Sequence, residues 1–399
     1  MKGAPMTDLD ILFTPTPIGG RTAINRWVAQ PMETSEAEPG GSPSETTCAR
    51  YQRLAEGQWG VVFMEAASVT ATSIGRLRGL VLTEAHAARY EALVRGFKER
   101  CPDGLLLAQI THSGPNTHPS SDRVTACPQP QPGCRYLSTD EIERIRQQFV
   151  AAALLAEKVG FDGIDYKLCN GYLGAELIRP SNTRPDRWGG SFENRTRFLV
   201  EGCQEIMARR RSREFILGSG FNFSERRAGG FGKRGPDSRE YDPAEPFELI
   251  RLMDRLGMDY ANITGDVADL SGYPDASDEE RQITTLLAER LASDLVRRER
   301  LRLAVMSGGY SAFGRQAAPL AARRARAGYT DFIGYGCQTF ADPLTPAKLR
   351  AGEPVNYCVG CRACMKLMLG QYSAGCAVYD PHYRALFKEY RRNHRSEEL

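Results

Sequence analysis

Short runs rich in Val, Ile, Leu, Phe and Tyr recur along the chain. Each is followed by a longer stretch in which apolar positions return every three or four residues. The runs are WVAQP (27–31), VVFMEA (61–66), LLLAQI (105–110), GIDYKL (163–168), FILGSG (215–220), YANIT (260–264), LAVMSGG (303–309) and DFIGYG (331–336). Near-continuous apolar runs, rather than alternating ones, are what strands buried on both faces require. Intervening stretches such as DEIERIRQQFVAAALLAEKVG (140–160) read as amphipathic helices. Eight strand–helix units predict an α/β fold, a (β/α)8 TIM barrel, with its active-site loops after the C-terminal ends of the strands. A doubly wound sheet is the alternative, and it ordinarily holds fewer strands.

Two polar stretches break this rhythm. Residues 113–137 follow the third strand and residues 224–243 the fifth, and both are rich in turn-forming residues. Loops at these places shape barrel pockets, so both are expected to line or cover the site. The second reads equally well as a surface insertion.

The chain of 399 residues suits one large barrel with an appendage, divided here into residues 1–352 and 353–399. Its 52 basic and 49 acidic residues leave a net charge of +3, which gives no electrostatic case for nucleic acid or an anionic membrane. The arginine runs RRRSRE (209–214) and RRER (297–300) read as solvated helix ends. No run approaches the roughly 18 apolar residues of a membrane helix. The opening MKGAPMTDLDILF carries no apolar core of a secretory signal.

The eleven cysteines divide unevenly. Cys48, Cys101, Cys127, Cys134, Cys169, Cys203 and Cys337 are scattered. Cys358, Cys361, Cys364 and Cys376 crowd into CVGCRACMKLMLGQYSAGC (358–376). A reducing compartment and one metal site explain this better than a disulfide framework, and the cytoplasm is the expected location. Three ligands on one tight loop and a fourth beyond it suit a [4Fe–4S] cluster. A four-cysteine zinc site is the rival, although structural zinc sites usually group their ligands two and two. A site that holds nothing is the third reading. A cluster would need a redox cofactor in the barrel with which to exchange electrons.

Several stretches then carry a resemblance: LFTPTPIG (12–19), NRWVAQPM (25–32), AQITHSG (108–114), GFDGIDYKLCNGYLGAEL (160–177), TRPDRWGGSFENRTRFLVE (183–201) and FADP (340–343). In order, over nearly the whole barrel, they resemble the old yellow enzyme family of FMN-dependent oxidoreductases. The cysteine tail resembles its iron–sulfur branch, which includes trimethylamine dehydrogenase and 2,4-dienoyl-CoA reductase, and the chain resembles their first module. The resemblance implies FMN at the C-terminal mouth, lined by Pro31, Met32 and Ala66. Gln109 would bond the pyrimidine edge, and Gly308 and Gly309 the phosphate. It implies that Lys167 and Asn170 hold an electron-withdrawing group of the substrate and that Tyr172 gives or takes a proton. Asp266, in NITGDVADLSG (262–272), would face a cationic substrate or simply cap a helix.

Three positions depart from the family pattern. Gly220 stands where an arginine near the flavin is usual. Cys337, in the pair Gly336–Cys337, stands where another arginine grips the phosphate. Glu33 replaces a small flavin-tuning residue. Losing two cations from a dianionic ligand weakens binding about a hundredfold or more unless others compensate, and Lys167, Arg226 and Arg227 are the candidates.

Two functions follow. One is an FMN and [4Fe–4S] oxidoreductase moving a hydride between flavin and a small organic substrate. Reduction of an activated C=C bond is its leading chemistry, and dehydrogenation of an amine or ring the runner-up. Its electron partner would be NAD(P)H or an electron-transfer protein, and a homo-oligomer is compatible with the sequence. The other is a barrel that has lost its flavin and serves as a binding or scaffold subunit.

Overall fold

The computed structural model describes residues 8–129, 131–267 and 277–394. Eight parallel strands close into a barrel, and each begins in one of the predicted runs. They are β1 (Trp27–Ala29), β2 (Val61–Ser68), β3 (Leu105–Thr111), β4 (Gly163–Tyr166), β5 (Ile216–Glu225), β6 (Tyr260–Val267), β7 (Ala304–Ser307) and β8 (Phe332–Tyr335). Each pairs with its neighbours in chain order, and β8 pairs with β1, aligning Gly334 with Val28. Every residue of β2, β3 and β5 is buried, as continuous apolar runs demand.

The outer layer comprises α1 (Glu45–Glu56), α2 (Ala87–Lys98), α3 (Thr139–Lys158), α4 (Phe192–Arg209), α5 (Ala244–Leu256), α6 (Asp278–Glu299), α7 (Ala317–Arg326) and α8 (Thr345–Ala351). Reciprocal caps start α3 (Ser138 with Glu141) and α6 (Ser277 with Glu280), satisfying backbone donors that the first turn leaves over. On α3, Ile142, Phe149, Val150 and Ala153 fall on one face and are buried.

A hairpin of Thr16–Ile18 and Arg21–Ala23 closes the N-terminal end of the barrel. Its Ile18 and Ala23 pack among Val28, Val61, Phe63, Leu105, Ile216, Tyr260 and Phe332. These three-residue strands lack an apolar run, so the hydrophobic pattern does not reveal them.

After α8 the chain crosses to the opposite, C-terminal mouth and adds two helices, α9 (Ala363–Leu369) and α10 (Pro381–Asn393). Polar contacts pin this segment to the barrel. Cys358 N donates to Gln338 Oε1 at 2.8 Å, and Ala374 N to Thr34 O at 2.8 Å. Tyr383 Oη donates to Glu36 Oε1 at 2.6 Å, and Leu77 N to Gln371 Oε1 at 2.9 Å. Leu367, Met368 and Ala374 form a small core of their own beneath α10. No helix among the described residues is long and apolar enough to cross a membrane.

The long β5 is fastened at its far end. Glu225 receives two hydrogen bonds from Arg179, both at 2.7 Å, and each side chain is 1% exposed. Removing one member of a buried pair leaves the other charge uncompensated. Glu225→Gln is therefore expected to lower stability by about 3–5 kcal/mol, measured by urea unfolding.

Candidate active site

A cavity of about 300 Å³ opens at the C-terminal mouth. Strand ends far apart in sequence supply its walls: Pro31 and Met32 after β1, Gln109 on β3, Asn170 after β4 and Gly220 on β5. Gly308 and Gly309 follow from β7, and Gly336 and Cys337 from β8. Cys358, Cys361, Cys364 and Cys376 line the same cavity. Most of the residues singled out from sequence thus meet in one place. No residue of 113–137 or 224–243 lines it, contrary to the expectation for those loops; the cysteine segment takes their place.

The floor is polar and tightly paired. Gln30 and Asn262 exchange amide hydrogen bonds, both at 2.9 Å. Gln109 Nε2 donates to Asp165 Oδ2 at 2.6 Å, and Tyr260 Oη to Asp165 Oδ1 at 3.1 Å. Complete burial pushes the Asp165 carboxyl up to about 6 in spite of these donors. Gly220 backs onto this carboxyl: a Cβ there would lie 3.1 Å from Asp165 Oδ2. The position read as a missing arginine therefore faces an acid.

The glycines after β7 play different parts. Gly308 N donates to Ile263 O at 2.8 Å, so its amide belongs to the barrel ladder and not to a phosphate. Gly309 has φ +97°, and a Cβ on it would meet Thr285 Oγ1 at 2.7 Å. Only glycine gives a smooth wall there. Two cations line the cavity that the sequence did not single out, Arg281 in the first turn of α6 and Arg362 between the cysteines. Arg226 and Arg227 do not reach it; Arg226 lies 3.6 Å from Glu280.

Beside the cavity sits a buried charged cluster. Tyr172 Oη donates to Glu33 Oε1 at 2.5 Å. Arg76 Nε donates to Glu33 Oε2 at 3.0 Å, and Lys167 Nζ lies 3.6 Å from Oε1. Lys167 Nζ also stands 3.5 Å over the Tyr172 ring. Burial alone would raise the Glu33 carboxyl, but Arg76, Lys167 and the phenol together hold it below the usual carboxylate range. Burial and the Glu33 charge push the Tyr172 phenol well above its ordinary value, so it keeps its proton. Arg76 Nη2 is buried with no partner among the described residues.

Glu33, placed by sequence beside the flavin, is thus the acceptor for Tyr172. Lys167 and Tyr172, 3% and 1% exposed, do not line the cavity, whereas Asn170 between them in sequence does. Ala66 lines a separate space of about 10 Å³ with Glu33 and Arg76, room for about one water. Asp266 pairs with Ser224 in the ladder between β6 and β5, and its side chain lies outside the described residues.

Among the described residues no three His, Cys, Asp or Glu side chains converge closely enough to hold a single ion. Cys358, Cys361, Cys364 and Cys376 line the one cavity, a set of four sulfur donors that fits either an iron–sulfur cluster or a four-cysteine zinc site.

Residues 11–238 match the NADH:flavin oxidoreductase / NADH oxidase family, and the chain belongs to it. It is 26% identical over 374 residues to an NADH oxidase of Thermoanaerobacter brockii, covering 89% of this chain and 53% of that protein. It is 27% identical over 229 residues to a probable flavin mononucleotide-dependent alkene reductase of Leishmania infantum, covering 51% of this chain and 62% of the relative. A 2-naphthoyl-CoA reductase structure superimposes with a TM-score of 0.81 at 21% identity, over 96% of this chain and 58% of that one. The chain thus spans roughly half to three-fifths of the length of these relatives.

The acid on the floor makes stability pH-dependent. Asp165 has its folded pKa raised from 3.8 to about 6, so folding favours its protonated form. Its stabilisation is complete below the ordinary carboxylate range and is lost as pH rises through about 6. Urea unfolding of wild type is expected to weaken by up to about 3 kcal/mol between the two values, and Asp165→Asn to remove that slope.

Proposed function

We propose that this chain is an FMN-dependent reductase of activated C=C bonds, with its C-terminal cysteines holding a [4Fe–4S] cluster. The observation that carries this reading is the Tyr172 phenol, kept protonated beside the cavity by a buried carboxylate. A phenol in this state is a proton donor; acting as a base would require a phenolate next to Glu33. The named alkene reductase among the relatives supports the same direction.

The residues fit the flavin in part. The cavity has a glycine wall at Gly309 and amide groups on its floor at Gln30, Gln109 and Asn262. Arg281, near Thr284 and Thr285, would grip the phosphate in place of the arginine missing at Cys337. Bound FMN would supply a hydride to one carbon of the substrate and exchange single electrons with the cluster. Asn170 would hold the conjugated carbonyl, and Tyr172 Oη would deliver its proton to the other carbon. Lys167 and Arg76 hold Glu33 ionised, and Glu33 fixes the phenol. A Cβ on Gly75 would lie 3.3 Å from Tyr172 Oη, so the segment carrying Arg76 covers the hydroxyl and must shift for substrate to reach it. NAD(P)H or an electron-transfer protein would return electrons.

Gly220 against Asp165 favours a second reading, a barrel that has lost its flavin. Titration of the purified protein with FMN and riboflavin decides between them. Tight FMN binding supports the reductase, and no binding supports the second reading. Arg281→Gln is expected to weaken FMN about tenfold or more and leave riboflavin unchanged, since only FMN carries the phosphate. Equal losses for both would remove Arg281 from the phosphate site.

Tyr172→Phe separates the two half-reactions. Flavin reduction by NAD(P)H should be retained, and reoxidation by an enone should slow by about 10²-fold or more, followed by stopped-flow absorbance at 450 nm. An unchanged reoxidation rate would take the proton away from Tyr172.

A further inference from the structure

Cys337 is the cysteine whose surroundings differ most from its sequence reading. It follows Gly336 at the end of β8 and begins the short helix Gln338–Ala341. Its Sγ lies 3.7 Å from Cys364 Sγ. It lines the same cavity as Cys358, Cys361, Cys364 and Cys376. The contact joins two parts of the chain that are held together independently. Gln338 Oε1 accepts from Cys358 N at 2.8 Å, and Gln338 Nε2 donates to Asn356 O at 2.9 Å. The residue next to Cys337 therefore fixes the start of the cysteine loop against β8.

The separation has a chemical meaning. Two sulfurs on one tetrahedral metal with metal–sulfur bonds of about 2.3 Å stand about 3.8 Å apart. Cys337 and Cys364 are already at that spacing. A packing role alone would not need a thiol at this point, and a phosphate grip would need a cation. A contact this close puts Cys337 Sγ within reach of a metal held by Cys364.

We propose that Cys337 is a fifth thiol of the metal centre and takes the metal position of Cys364 by ligand exchange. This rests on the reading of the four C-terminal cysteines as a metal site. In the exchange the metal–sulfur bond to Cys364 breaks and one to Cys337 forms. The proton leaving the Cys337 thiol passes to the Cys364 thiolate, so no electron is gained or lost.

The test uses the full chain, purified anaerobically, with iron and acid-labile sulfide quantified and the dithionite-reduced sample examined by EPR. Four variants are compared with wild type: Cys364→Ser, Cys337→Ser, the double variant and Cys361→Ser, the exposed cysteine of the tail. Cys364→Ser should keep most of its iron with a shifted EPR signal. The double variant and Cys361→Ser should fall to about a tenth of the wild-type iron or less. Cys364→Ala stands in if the serine variant does not fold, as judged by circular dichroism. Iron as low in Cys364→Ser as in the double variant overturns the proposal while leaving the cluster reading intact. Wild type free of both iron and zinc overturns both. Zinc in place of iron overturns the cluster alone, and the same comparison read by zinc then decides Cys337.

Discussion

A carboxylate placed in the interior of a protein demands partners, and Glu33 shows how much follows from that demand. It stands four residues past the end of β1, at the mouth where the strands converge. Arg76 arrives from the loop after β2, and Lys167 and Tyr172 from the segment after β4. Without two cations the ionised form would be too costly to bury. With them, the charge becomes a fixed feature that orders three separate segments. The same charge decides where the proton resides on Tyr172. The adjoining strand shows a related arrangement: Glu65 accepts from Thr34 N at 2.7 Å, tying the residue after Glu33 to β2.

The cysteine segment is seated on this same stretch of chain. Thr34 O receives the amide of Ala374, and Glu36 receives the hydroxyl of Tyr383. The loop that carries Arg76 is joined to the segment through Leu77 and Gln371. Residues 33–36 therefore connect the charged cluster on one side with the thiols on the other. A barrel makes such convergence possible because all eight strand ends face one mouth.

The eight barrel strands were legible because burial on both faces forces an unbroken apolar run, and none of their neighbours imitates one. The hairpin at 16–23 was not, since three-residue strands carry too little pattern. The cavity residues after the strands, such as Met32, Asn170 and Gly309, were reachable through resemblance combined with strand order. What escaped was pairing across space. Nothing in the sequence says that Arg76 meets Glu33, that Asp165 lies under Gln109, or that Arg281 reaches the mouth from α6. Charged residues close behind buried strands, Glu33 after β1 and Lys167 after β4, were the signal that counter-charges must exist. Cys337 was set apart from the tail cysteines because it lies well before them in the chain; the fold closes its 27-residue separation from Cys364 to 3.7 Å.

The wall shared by barrel glycines and thiols also bears on exposure to air. Cys361 is open to solvent, while Cys364 is buried. A small diffusing molecule that enters the mouth meets sulfur and the floor amides in one compartment, with no partition between them. Dioxygen admitted to one side is thus admitted to the other. Access to both is governed by the segment from 358 to 379, which is seated on Thr34 and Gln338.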